Sequence, residues 1–216
     1  MLSAESCSDD PCVRIVPPSP DIRSLAAAAF ARITRADPDG DLAGAIDTSA
    51  YADLLDAMRT PAARLGEVLG DPLVRISAPD LPTLTMDRDQ FTGLHVDEWF
   101  QNRQTPRSAR PNRIAFNLGR EPRHFLFINL PVEAMMDSIG EGLSGNEGTA
   151  IGLRFMESFP SYPVARICIN PGAAYIAPTE SLVHDASSAG STHVDIAGHL
   201  LGHFKLPTTS SNSEED

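Results

Sequence analysis

From residue 72 onward the chain is written in short β-forming runs, and this texture constrains its fold more than any other feature. The runs fall at residues 73–76, 83–86, 93–99, 113–118, 124–130, 152–155, 166–170, 173–177 and 192–199. Pro, Gly, Asn and Asp lie between them, and those residues end strands and make turns. Strands this short and numerous bury their apolar faces only by stacking two sheets or closing one into a barrel. A mainly β sandwich or barrel is therefore expected over about 72–206.

The segment before it has a different texture. Asp21, Ile22 and Leu25 open an Ala-rich stretch that reads as a helix to about Arg35, broken by Asp37-Pro38-Asp39-Gly40. A second helix is expected over 49–69, with Leu54, Leu55, Met58 and Leu65 near helical spacing and a kink at Pro61. The expected organisation is a flexible arm at 1–20 with a short edge strand at 13–16, a single domain at 21–207 whose helices occupy 21–70, and a disordered tail at 208–216. A helical insertion fits residues 131–139, followed by a Gly-rich loop at 140–148. That loop and the loop at 101–111 are the candidate lids.

Composition narrows the function. The chain has 216 residues, is 42% hydrophobic and carries a net charge of -12. Lys occurs only at Lys205. An acidic surface disfavours nucleic acid, which needs clustered Lys and Arg, and anionic membranes likewise. Cys7, Cys12 and Cys168 form no CxxC pair and no even framework. With no basic n-region or apolar h-region at the N-terminus, a reducing, cytoplasmic setting is expected. An exposed edge strand or the N-terminal helices are the surfaces through which a homodimer would form.

The chemistry concentrates at His95-Val96-Asp97. On a strand, residues i and i+2 share a face, so the imidazole and the carboxylate converge while Val96 points into packing. One more neutral ligand would complete a two-histidine, one-carboxylate facial set with open positions, the arrangement suited to Fe(II). His184 is the candidate. Gly172 turns the chain, residues 173–177 form a strand, Pro178 ends it, and a loop then delivers His184. A rival pair, His193 and Asp195, would have only His199 or His203 as its distal partner. That would crowd all three ligands onto one strand end. Its plainer reading is alternation along the last strand, with contacts to the outer side of the site.

HxD followed by a Gly-x5-Pro-x5-His run on β-rich sequence resembles the Fe(II)/2-oxoglutarate-dependent oxygenases and their cupin relatives. The resemblance implies a double-stranded β-helix, a jelly-roll or cupin-like barrel, over about 72–206. It implies Fe(II) on His95, Asp97 and His184, with 2-oxoglutarate as co-substrate and molecular oxygen as oxidant. The products would be succinate, CO2 and, by default, a hydroxylated small molecule such as an amino acid or natural-product intermediate.

The chain departs from the family pattern in one respect. No Arg follows His184, where one subgroup places the residue that holds the far carboxylate of 2-oxoglutarate. A jumonji-type or asparaginyl-hydroxylase-like subgroup uses a basic residue on a strand soon after HxD. Arg113, Arg120 and Arg123 lie in that region. Arg113 is the first choice as clamp, because it shares a strand face with Ala115 and Asn117, opposite Ile114, Phe116 and Leu118. Asn117 and Asn129 are candidates for hydrogen bonds to the co-substrate. Trp99, Tyr175 and Arg166 are candidates for the substrate pocket. The missing Arg also keeps open a cupin-type metalloenzyme, a dioxygenase or isomerase, that does not use 2-oxoglutarate. A third alternative is a binding or sensor barrel without catalytic metal.

Overall fold

The structure is a computed structural model that describes residues 13–33, 42–87, 90–97, 105–106, 109–140 and 148–205. Two antiparallel sheets organise it. The larger has the order β1-β8-β5-β10-β2, formed by Arg14–Val16 (β1), Ala174–Ala177 (β8), Asn112–Asn117 (β5), Asp195–Phe204 (β10) and Gly66–Ser77 (β2). The smaller has the order β7-β6-β9, formed by Ala165–Ile169 (β7), Arg123–Pro131 (β6) and Leu182–Ser187 (β9). A two-residue hairpin, β3 (Met86–Asp87) with β4 (Gln90–Phe91), stands apart from both.

Side-chain alternation explains the layering. Along β5, Ile114 and Phe116 join the core beneath the N-terminal helices, whereas Ala115 points the other way and packs with Phe125, Phe127 and Tyr175 between the sheets. The outer face of the larger sheet is covered by helices α1 (Pro20–Ala29) and α3 (Thr48–Leu65); a short α2 (Leu42–Ala45) lies between them in sequence. The outer face of the smaller sheet buries Ile128 and Val183 against α4 (Val132–Ile139) and α5 (Gly148–Ser158).

Local chemistry fixes the ends of the N-terminal helices. Ser19 caps α1 by accepting from the Ile22 amide at 3.4 Å, and Pro20 occupies the first turn, where no amide donor is needed. Asp47 caps α3 by accepting from the amides of Ser49 and Ala50. Leu54, Met58 and Ala62, one turn apart, are the buried stripe of α3.

Several sequence expectations need correction. The second helix ends at Leu65, not 69, because Gly66 to Ser77 pair along the whole of β10; sheet pairing overrides the continuing helical spacing of Leu69. A Cβ at Gly66 would collide with the His203 carbonyl, so this close strand contact needs glycine. The first helix stops at Ala29 rather than near Arg35. Residues 152–155 are helical, within α5: Ile151 and Phe155, four apart, are both fully buried, and period 2 plays no part there. Of the run at 93–99, the described residues 93–97 carry a single bridge at His95, and the run at 83–86 reaches only into β3.

His184 lies on a strand, β9, and not on a loop. The helix expected at 131–139 is α4, and the edge strand expected at 13–16 is β1. The segments 1–12, 34–41, 88–89, 98–104, 107–108, 141–147 and 206–216 lie outside the described residues, and with them most of the arm, the whole tail and parts of both expected lids. No helix among the described residues is long and apolar enough to cross a membrane.

Candidate metal centre and its cavity

The segment carrying His95 lies beside β9 as a broken additional strand. His95 and His184 exchange backbone hydrogen bonds, at 2.9 Å and 2.8 Å, and the Asp97 amide donates to the Thr179 carbonyl at 3.0 Å. This pairing sets the two imidazoles side by side, with ring centroids 4.7 Å apart. Val96, between the two polar residues, is buried in the opposite direction against the α4–α5 layer.

His95, Asp97 and His184 offer ligand atoms that all lie within 4.8 Å of one another. Nε2 of His95 is 3.3 Å from Asp97 Oδ1, and Nε2 of His184 is 3.8 Å from Asp97 Oδ2. Each ring is fixed by its other nitrogen. Nδ1 of His95 is 2.8 Å from the Gly93 carbonyl, and Nδ1 of His184 is 3.0 Å from the Leu182 carbonyl. A carbonyl only accepts, so both Nδ1 atoms carry a proton and both Nε2 atoms face the carboxylate; protonated His95 donates to Asp97 from Nε2, and loss of that proton frees the lone pair for a metal. Metal-bound histidines are held in this way. The donor set and its tautomers therefore fit a divalent ion.

Electrostatics agree with that fit. Burial would raise the Asp97 carboxyl, but the His95 hydrogen bond and the charges of His184 and Arg113 outweigh it and hold the group far below the aspartate range. Burial, with His95 and Arg113 nearby, pulls His184 down to about 4, so its ring is a neutral donor at physiological pH. Burial lowers His95 too, yet its bond and attraction to Asp97 prevail and raise it.

The three residues line a cavity of about 230 Å³ between the sheets. Three arginines line it: Arg113 from β5, Arg123 from β6 and Arg75 from β2. Arg113 reaches Asp97 Oδ2 at 2.9 Å and the buried Glu180 at 3.9 Å. Arg123 is only 3% exposed. Its Nε is 3.3 Å from Asp195 Oδ1, yet Nε and one terminal nitrogen have no hydrogen-bond partner. Tyr175 forms part of the wall, stacked on Phe125 at 4.1 Å, and burial pushes its phenol up to about 12. His199 also lines the cavity; burial first, then the three arginines, keeps its imidazole well below the usual range.

Of the residues expected around the co-substrate and substrate, Arg113 and Tyr175 line this cavity, and three others do not. Asn117 is fully buried, but its amide is spent on the carbonyls of Glu121 and Ile169, and its Oδ1 accepts from the Gly119 amide; it builds a turn. Asn129 is exposed, where β6 shifts register before Pro131. Arg166 is exposed on β7 and lies against the His124 ring. Trp99 lies outside the described residues. The rival pair separates: His193 is exposed and bound to Glu121, while Asp195 faces Arg123 in the cavity. Arg75 carried no sequence signal, and Arg123 stood behind Arg113 because Arg113 shares a strand face with Ala115 and Asn117, opposite an apolar one.

No protein-family profile matches the sequence, and no curated protein does. Solved structures do. The Kdo hydroxylase KdoO, a non-haem Fe(II) α-ketoglutarate-dependent dioxygenase solved with α-ketoglutarate and Fe(III), is similar with a TM-score of 0.50 and 14% identity, over 90% of this chain and 80% of that one. The epimerase SnoN from nogalamycin biosynthesis, solved with Fe3+ and α-ketoglutarate, follows at 0.49 and 13%, over 97% and 88%. The carbocyclase SnoK gives 0.48 and 15%, over 93% and 83%. The likeness to KdoO is one of fold; the other two are weaker and carry no argument.

Proposed function

We propose that this chain is an Fe(II)- and 2-oxoglutarate-dependent oxygenase that hydroxylates a C–H bond of a small molecule. One observation carries the reading: the His95, Asp97 and His184 donors converge in a cavity that also holds a buried, incompletely bonded arginine, Arg123. We read the two sheets as a double-stranded β-helix within a single domain at 21–207. Support comes from the strand order, in which β5, β8 and β10 belong to one sheet and β6, β7 and β9 to the other. The solved hydroxylase KdoO has a similar fold and is described as an Fe(II) α-ketoglutarate dioxygenase.

Each residue then has a task. His95 and His184 bind as neutral donors through Nε2, and Asp97 offsets part of the metal charge. Arg113 holds the remaining Asp97 oxygen, which keeps the carboxylate from rotating. The sequence favoured Arg113 as the clamp for 2-oxoglutarate, but its contact with a ligand carboxylate puts it close to the metal. The far carboxylate lies a carbon chain away from the chelating end, and Arg123 is better placed to receive it. Bound at this site, Fe(II) would supply the oxygen activation that couples decarboxylation of 2-oxoglutarate to C–H oxidation. The Phe125–Tyr175 stack walls off water, while Ala186 and Ala197 leave room for a substrate.

The test is optical. Anaerobic addition of Fe(II) and 2-oxoglutarate should give a weak visible charge-transfer band, absent in His95→Ala and Asp97→Ala. Bound metal without the band would reject 2-oxoglutarate as co-substrate. It would leave the cupin-type reaction on the same ligands.

A further inference from the structure

The cavity wall beside Arg123 contains a residue that the oxygenase reading does not require. Asp195 opens β10 opposite Ser77 and is 7% exposed, with its carboxylate on Arg123. A guanidinium intended only for a co-substrate carboxylate would be better left unpaired. Here two carboxylates would have to share one buried guanidinium, and like charges at such range resist joint ionisation.

Resting on the oxygenase reading, we propose that Asp195 occupies Arg123 in the empty site and is displaced from it, with uptake of one proton, when the far carboxylate of 2-oxoglutarate binds. The step balances simply. A solvent proton adds to an Asp195 oxygen, and the guanidinium passes from that carboxylate to the incoming one. Neutral Asp195 can then donate a hydrogen bond to the same co-substrate oxygen. Asp195 thereby makes the affinity for the dicarboxylate depend on pH.

The surroundings support protonation at Asp195. Burial already raises its carboxyl above the aspartate range, against the pull of Arg123. Besides His95, Asp97 and His184, the other charged or titratable groups lining the cavity are Arg75 from β2, Arg113 from β5, Tyr175 from β8, Asp185 from β9 and His199 on the same strand. Both Asp185 oxygens accept hydrogen bonds, from the hydroxyls of Thr83 and Thr85 and from the Ala186 amide. Arg113 is engaged with Asp97 and Glu180. His199, whose Nδ1 has no hydrogen-bond partner, is the competing proton acceptor.

The experiment titrates 2-oxoglutarate into the Mn(II)-loaded protein by calorimetry, in two buffers of different ionisation enthalpy, from neutral to mildly alkaline pH. The wild type should take up a fraction of a proton that grows toward one as pH rises. Its half-saturating concentration should then rise by about tenfold per pH unit. Asp195→Asn should bind about tenfold more tightly at the alkaline end, with neither uptake nor slope. Uptake that persists in Asp195→Asn and disappears in His199→Gln would assign the proton to His199 and overturn the proposal. So would a wild type with no uptake at any pH, a measurement that stands even if Asp195→Asn does not fold. Failure of the oxygenase reading looks different: the metal-loaded wild type would bind no 2-oxoglutarate at all.

Discussion

At the scale of single residues, the roles of two arginines can be separated. Arg113 touches a ligand carboxylate, and Arg123 touches none of the three donors. Arg113→Leu should therefore weaken metal binding, by about tenfold or more as for other residues that orient ligands, with little change in 2-oxoglutarate affinity once metal is saturating. Arg123→Gln should do the reverse. Loss of a charge-assisted pair costs about 2 kcal/mol, roughly thirtyfold in the half-saturating 2-oxoglutarate concentration, while metal stoichiometry is kept. Arg123→Gln also leaves Asp195 buried without its counter-charge, so thermal stability should fall. Adding Asp195→Asn should restore stability but not affinity. Equilibrium dialysis for metal and calorimetry for 2-oxoglutarate separate the two columns of this comparison; equal losses in both would refute the division. The HxD spacing and the distal histidine were legible in the sequence, because i and i+2 alternation and ligand chemistry are local. Asn117 and Asn129 misled because an amide states a capacity for hydrogen bonds and not where those bonds go.

At the scale of elements, packing of α3 on β10 depends on Gly198. A Cβ there would run into Met58, whose Cε lies inside contact distance, and come within 2.9 Å of Leu118 Cδ1. Overpacking of this kind costs about 1–3 kcal/mol. Gly198→Ala should lower the denaturation midpoint, and Met58→Ala in the same chain should recover part of the loss by opening space. No change in Gly198→Ala would mean that α3 stands off the sheet.

A second element contact fastens the entry to β10. Glu121, between β5 and β6, accepts from the amides of Thr192 and His193 and from the Thr192 hydroxyl. The His193 amide bond leads in holding its carboxyl down to about 2, and with the Thr192 bonds it outweighs the opposing effect of burial. A depressed folded-state pKa stabilises above the unfolded value, and that contribution disappears as pH falls from the ordinary glutamate range to about 2. Glu121→Gln should shrink the wild-type loss of stability across that acid window, seen by urea unfolding; an identical acid profile would rule the staple out. None of this was legible beforehand, since Glu121 and Thr192 are far apart in sequence. The boundary of α3 was misread for a similar reason: Leu69 continues the helical stripe, and only the long pairing with β10 converts Gly66 to Ser77 into strand.

At the scale of the molecule, the site exists because two sheets meet. His184 comes from the smaller sheet, Arg113 and Asp195 from the larger, and Asp97 from a segment tied to β9 by a single bridge. The turn-punctuated β texture foretold stacked sheets, because alternation and turn chemistry are written locally. The cavity's charge pattern was not foretold, since it depends on which strands become neighbours. Under the proposed function, that architecture gives metal and co-substrate a structural as well as a chemical part. An ion on His95, Asp97 and His184 would fasten the loosely paired segment to β9, and a dicarboxylate on Arg123 would bridge toward β10. Binding restricted to the folded state adds about 2.7 kcal/mol at a hundredfold excess over Kd, which for a domain of this size is a rise in Tm on the order of 5–10 °C. Thermal unfolding with Mn(II) should show such a rise in the wild type and none in His95→Ala. With metal present, 2-oxoglutarate should raise Tm further. Without metal its effect should be far smaller, since Arg123 alone must hold it. Equal shifts from 2-oxoglutarate with and without metal would show that the three donors and Arg123 act separately, and would argue against chelation at the three-residue centre.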